Sequence, residues 1–462
     1  MLSRLKSILF FLFVFIALFT LLLFDVYAKP QSDDWGWLEF IKEYGYFGSY
    51  SSMRETSQMS PYMVLVMFPV VLLQYYVPYG ILLFVIQMSL PISIFIFIKR
   101  TVAVQNRLAQ LKLLLAIILV TILIYFTAWN TNTHQNAIFW LTGTLAYVLP
   151  IAFFFGFIDR ILKIEKTSFD KFLILLLTFL LVGVQINYIA IFGLIGLLFF
   201  LNKKIPLDNF FKWFVVWGIL SVIYTWSYSG WLNRIQTTNN VEVFEKVTNC
   251  THLLFISILN EPYWSLSLFL LGIYLASLLS KNNSKQFRGI LTWKITAQVA
   301  SIILISAFLI LVAFNGNMGY GRVQFLTHFM VVLFVLAIII KIGKKYISQG
   351  LLPLGFLILS IGLFILPLKS KLWRAQKFSN AWTERESIIE TQNMNGDNCV
   401  FVNKLPKSDI LGYSDLNPSV TCDSFVGCMG KLRYGKINFY DNWVHKQHYN
   451  LKGNIVIRDE GS

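Results

Sequence analysis

Apolar runs long enough to cross a bilayer recur from Ile8 to Leu366, separated by short polar stretches. A bilayer core about 30 Å thick takes about 20 apolar residues in a helix. The pattern predicts helices near residues 7–27, 79–98, 110–127, 139–157, 171–184, 188–201, 211–228, 263–280, 290–314, 323–340 and 346–367. These are about 11 transmembrane helices, and the odd number sets the two ends of the chain on opposite sides. The run at 61–76, YMVLVMFPVVLLQYY, is short and interrupted by Pro69, so it is expected to lie on the outer surface or re-enter. The pair at 171–184 and 188–201 is also short, and reading it as one hairpin keeps the parity. The first run follows Arg4 and Lys6 and ends in Val26, Tyr27 and Ala28, in the form of a signal-peptidase site. It is longer than the apolar stretch of most signal peptides, so a retained helix is expected; either way residue 29 lies outside.

Composition excludes an ordinary soluble domain: 56% of residues are hydrophobic, 13% are charged, and the mean hydropathy is +0.63. The net charge of +16 does not imply nucleic acid, because the Lys and Arg residues sit at the ends of apolar runs and form no patch or stripe. They carry topology instead. Segments assigned to the cytoplasm hold twenty of them, against six in the outer loops: Lys29, Lys42, Arg54, Arg234, Lys246 and Arg322. Acidic residues are distributed the other way, with Asp25, Asp33, Asp34, Glu39, Glu43, Glu55, Glu242, Glu245 and Glu261 on the outer side. A reactive site is therefore expected to face outward, with the N-terminus in the cytoplasm.

Beyond Lys371 the composition changes to that of a small soluble domain. LWRAQKFSNAWTERESIIETQ has helical spacing of Trp373, Phe378, Trp382 and Ile389, CVFVNKL and INFYDNW alternate like strands, and GYSDLNPS reads as a turn. The expected fold class is an all-α polytopic membrane domain, residues 1–368, followed by an extracytoplasmic α+β domain, residues 369–462. Cys250, Cys399, Cys422 and Cys428 all fall on the outer side, which suits an oxidising compartment and one or two disulfides. Three connectivities are open, Cys422 with Cys428 being the nearest pair, and the spacing has no metal-ligand signature.

The first outer loop opens KPQSDDWGWLEFIKEYGYFGSY. Asp33 and Asp34 precede an amphipathic stretch with Trp37, Phe40, Ile41, Tyr44 and Phe47 on one face, which is expected to lie in the interface plane. A carboxylate held there can accept a proton from an acceptor hydroxyl or help hold a divalent metal; the structural alternative is a cap on the helix that follows. The second outer loop, WNTNTHQNAIFW, presents amides and His134 between tryptophans. Trp35, His134 and Asn136 are the candidates for contact with sugar, although an asparagine-rich loop is equally a plain hydrophilic cap.

An acidic pair after the first helix, interfacial helices, many spans and a soluble outer domain together resemble the GT-C superfamily of polyprenyl-phosphate-sugar glycosyltransferases. DDWGWLEFIKEYGYFGSY and IFWLTGTLAYVLP, at 138–150, resemble motifs of a bacterial family of GT-C-like membrane proteins, and the plan is similar to that of O-antigen-modifying glucosyltransferases. The resemblance implies a bacterial inner-membrane enzyme, an undecaprenyl-phosphate-linked sugar donor and an extracytoplasmic glycan acceptor. It implies Asp33 or Asp34 as the general base of an inverting transfer. The departing phosphate then needs an outer cation, Arg322 first because its glycines allow a tight loop and Arg54 second. In related proteins an arginine often stands in a Gly-Arg-aromatic motif late in the first loop, where this chain reads QMSPYM, a departure from the family pattern that weighs against Arg54 as its equivalent. A divalent metal is left open, and the absence of an acidic residue in the second loop argues mildly against one. The rival readings are a transporter, an O-antigen ligase or polymerase, and a receptor.

Overall fold

In the computed structural model, described residues are 2–30, 32–56, 62–102, 106–128, 138–184, 186–202, 205–226, 261–282, 325–346, 351–397, 399–406, 416, 422, 445–452 and 454–457. They are mostly helical. In chain order come α1 (Leu2–Tyr27), α2 (Ser32–Thr56), one π-helical turn (Met63–Met67), α3 (Phe68–Leu73), α4 (Tyr79–Val102), α5 (Arg107–Thr127), α6 (Leu141–Tyr147), α7 (Leu149–Ile161), α8 (Ser168–Val182), α9 (Ile186–Leu201) and α10 (Asn209–Trp226). Then come α11 (Pro262–Asn282), α12 (Phe325–Tyr346), α13 (Leu352–Ile365), α14 (Leu368–Met394), β1 (Cys399–Val402) and β2 (Asn454–Ile457). Helices stand at ten of the predicted positions; the one expected at 290–314 lies outside the described residues.

Among the described residues, five segments are long and apolar enough to cross a membrane: Arg4–Tyr27, Tyr79–Arg100, Arg107–Thr127, Leu141–Ile161 and Leu352–Met394. The last is apolar only through α13, since α14 continues it as a polar helix. The described helical stretch Met63–Leu73 extends about 17 Å at 1.5 Å per residue, against a bilayer core of about 30 Å.

Helix α1 packs by one face against α4, α5, α13 and α14. Its buried stripe, Phe10, Phe13, Val14, Ala17, Leu21 and Phe24, follows the three-and-four spacing of one helix face. The opposite face is equally apolar and open: Ile8 is 63% exposed and Phe15 65%. Helix α4 repeats this with Ile81, Val85, Ile92 and Ile96 outward. In water each such side chain would forgo about 1.5–3 kcal/mol of burial, whereas lipid removes that cost. Gly80 lets α4 start against the end of α1, because a Cβ there would lie 2.5 Å from the Asp25 carbonyl oxygen.

Small polar residues join the later helices. Ser267 Oγ donates to the Ser360 carbonyl at 2.8 Å, and Ser360 Oγ returns a bond to the Ser267 carbonyl at 2.7 Å, tying α11 to α13. At another end of the bundle Arg100 pairs with Asp159 (2.9 Å), Lys163 with Asp170 (2.5 Å) and Lys166 with Asp208 (3.3 Å), linking α4, α7, α8 and the approach to α10. The hydrogen bond from Lys163, with further bonds from Thr167, outweighs burial and holds the Asp170 carboxyl down at about 2.

The boundary expected at 368–369 coincides with the start of α14, but the packing divides further along. Ala375, Phe378 and Trp382 belong to the main core, whereas Ile389 packs with Val400, Val402, Leu416, Leu451, Ile455 and Ile457. The strands β1 and β2 pair in parallel, Val400 opposite Ile455. The run CVFVNKL does supply β1; INFYDNW lies outside the described residues. Cys399 bonds to Cys422, with Cα atoms 5.4 Å apart, so the nearest-pair expectation of Cys422 with Cys428 is corrected. Strand β1 carries Cys399 to its partner across a 23-residue separation, a closure that spacing alone did not favour. Cys250 and Cys428 lie outside the described residues.

Candidate functional site

Helix α6 is a two-turn helix sunk in the protein, with Leu141, Thr142, Gly143, Thr144, Leu145 and Tyr147 all buried. A short buried helix must find partners for its end groups, since no water reaches them. Asp34 supplies the N-terminal partner. Its Oδ1 accepts from the Thr142 amide at 2.9 Å and from Thr142 Oγ1 at 2.5 Å, and its Oδ2 accepts from the Tyr79 hydroxyl at 2.9 Å. The Tyr79 oxygen accepts in turn from the Leu141 amide at 2.9 Å. At the other end Tyr62 donates to the Leu145 carbonyl at 2.5 Å and Tyr188 to the Tyr147 carbonyl at 2.7 Å.

Asp34 is thus fully buried and caps a helix other than its own. It seats α6, which follows it by more than a hundred residues in sequence. A carboxylate near the positive end of a helix dipole is in a favourable field, and its bonds to protein donors are charge-assisted. Gln74 Nε2 adds a long bond of 3.5 Å to the Asp34 carbonyl, fixing the start of α2 to the end of α3.

Helix α2 bends at Gly45, whose φ of 68° lies in the left-handed region that glycine adopts without strain. The buried Ser49 hydroxyl spans the bend, its one hydrogen shared between the carbonyls of Phe40 and Gly45, each at 2.7 Å. The predicted aromatic face divides there: Phe40 is buried, while Tyr44 is 47% and Phe47 77% exposed.

Trp35 was expected to meet sugar. It is 3% exposed instead, its ring stacked on His448 at 4.5 Å and met edge-on by His445 at 4.7 Å, with Trp382 at 5.5 Å. The reason is tertiary: residues 445–449 fold back over the start of α2, so the ring face holds the C-terminal region in place. Beside it Glu39 bonds Lys42 at 2.6 Å and lies 3.8 Å from His448. Burial works to raise the Glu39 carboxyl pKa, but His448 and Lys42 outweigh it and hold the group below its ordinary value.

Asp33 lies in the first turn of α2 and Arg54 in its last, both with side chains outside the described residues, as are His134, Asn136 and Arg322 entirely. Thr142 and Tyr79 are site residues that sequence reasoning missed. Their signal was a hydroxyl inside the apolar IFWLTGTLAYVLP run and a tyrosine directly after Pro78. Lys29, bonded to Thr383 at 3.4 Å, is the described cation nearest the acidic pair along the chain. Among the described residues no three His, Cys, Asp or Glu side chains gather as a metal-ligand set. No protein-family model, curated protein or solved structure matches the chain.

Proposed function

We propose that the protein is an inverting, integral-membrane glycosyltransferase that moves a sugar from an undecaprenyl-phosphate donor to an extracytoplasmic glycan such as O-antigen. The observation that carries this reading is the Asp34 seat. The two stretches on which the resemblance rests, the acidic pair with its amphipathic helix and IFWLTGTLAYVLP, meet through Asp34, Thr142 and Tyr79.

With its oxygens engaged by Thr142 and Tyr79, Asp34 is the positioning residue, and Asp33 beside it is the general base. Asp33 takes the proton from the acceptor hydroxyl. The hydroxyl oxygen attacks the anomeric carbon from the face opposite the phosphate; the bond from carbon to phosphate oxygen breaks, and polyprenyl phosphate leaves with the electron pair. Arg322, Arg54 or Lys29 stabilises the phosphate as its charge develops. The reaction as proposed runs through no metal.

The orientation follows from chemistry. A disulfide suits an oxidising compartment, and the domain that carries it packs on Trp35 and Lys29 at the outer end of α1. On this reading the chain sits in a bacterial inner membrane with its N-terminus cytoplasmic and its C-terminal domain outside. The transporter reading draws on one observation, the buried Asp25, which stands near the end of α1 rather than at its middle.

The test compares surface polysaccharide by mass spectrometry in cells carrying the intact gene, no gene, or Asp33→Asn. A hexose-sized mass gained only with the intact gene is expected. Equal masses in all three, with the proteins present in the membrane at equal levels, would refute the reading for that acceptor.

A further inference from the structure

We propose that Asp25 and Gln87 form a buried binding site for one small monovalent cation, a proton or an alkali-metal ion, directly behind the Asp34 seat. Both side chains are fully buried, Asp25 near the end of α1 and Gln87 in the middle of α4. Gln87 Nε2 donates to Asp25 Oδ1 at 3.0 Å and to the Ile138 carbonyl at 2.9 Å. Those two bonds use both amide hydrogens. Among the described residues, Asp25 Oδ2 and Gln87 Oε1 have no hydrogen-bond partner and no cationic side chain pairs with Asp25.

Two hydroxyls near the site have their hydrogens committed elsewhere. Tyr125 donates to the Gln87 carbonyl at 2.8 Å, and Tyr79 donates to Asp34 at 2.9 Å. A carboxylate and an amide oxygen, both buried and both acceptors, lack one positive charge between them. A proton on Oδ2, or an alkali ion against Oδ2 and Oε1, supplies it. A buried ionisable group in an apolar helix marks a functional position by default.

The site is linked to the Asp34 seat through the backbone. The Ile138 carbonyl held by Gln87 also accepts from Thr144 Oγ1 at 2.6 Å, and Leu141 and Thr142 follow within four residues. Gly80, against the Asp25 carbonyl, is next to Tyr79. Emptying the site therefore disturbs both donors that hold Asp34.

The experiment is infrared difference spectroscopy of the full-length protein in lipid nanodiscs, wild type minus Asp25→Asn, in sodium buffer and again in choline buffer. The readout is vibrational and stands whatever reaction the protein performs. A carboxylic-acid carbonyl band lost in Asp25→Asn identifies the proton. A carboxylate band that moves when choline replaces sodium identifies the alkali ion. A carboxylate band that is identical in both buffers would overturn the proposal. Gln87→Met leaves the carboxyl in place and serves if Asp25→Asn does not fold: a carboxylate band that moves with sodium in the wild type is expected to lose that dependence in Gln87→Met, and a wild-type spectrum with neither a carboxylic-acid band nor a sodium-dependent carboxylate band counts against the site.

Discussion

Replacing Asp34 by Asn tests whether the carboxylate holds the site together. The change keeps the shape of the side chain and removes its charge. Hydrogen bonds reach the carboxylate from the Thr142 amide, the Thr142 hydroxyl and the Tyr79 hydroxyl. Bonds to a charged group contribute roughly 1.5–3 kcal/mol each and neutral ones about 0.5–1.5, so the two Thr142 bonds lose about 1 kcal/mol apiece. An Asn amide facing Tyr79 also deprives that buried hydroxyl of its acceptor, which costs about 1–3 kcal/mol. The expected loss is roughly 3–5 kcal/mol, a large fraction of the roughly 5–15 kcal/mol that holds a domain folded. Thr142→Val removes only the hydroxyl bond, costing about 1.5–3 kcal/mol with Asp34 present and about 1 once Asn stands there. The two changes should therefore couple by about 1 kcal/mol. Unfolding by denaturing detergent in mixed micelles, followed by tryptophan fluorescence in all four proteins of the cycle, measures this coupling. Additivity within about 0.5 kcal/mol would refute the idea that Asp34 and Thr142 act as one unit.

Gly80→Ala should destabilise the bundle by about 1–3 kcal/mol, because its Cβ would meet backbone atoms of Asp25 and Val26; Gly362→Ala, with nothing within 4 Å, should be neutral or stabilising in the same assay. Alkylation without reduction, followed by peptide mass mapping, should leave Cys399 and Cys422 unlabelled, and labelling of both would contradict the disulfide. Asp170 should stabilise the fold fully above its ordinary value of 3.8, and that contribution should fade as pH falls toward about 2, because the folded protein holds the carboxylate more strongly than the unfolded chain does. Asp170→Asn should flatten that part of the profile measured by thermal unfolding; an unchanged slope would contradict the pairing with Lys163.

The apolar runs marked where most of the apolar helices stand, because a helix that must satisfy its own backbone in lipid needs length and continuity, and both are local properties of the chain; the break of 139–157 into α6 and α7 was not legible there. The strand at CVFVNKL was legible from its alternation, which is also a local property. What periodicity could not express is contact between distant segments. Asp34 looked like a cap for its own helix or a base, and the fold gave it to Thr142, a residue 108 positions away. Trp35 looked like a platform for sugar until residues 445–449 closed over it. Cys422 passed over its near neighbour because β1 carries Cys399 to it. In each case the partner was chosen by the need to satisfy a buried group or fill a packed surface, and that need exists only once the chain has folded.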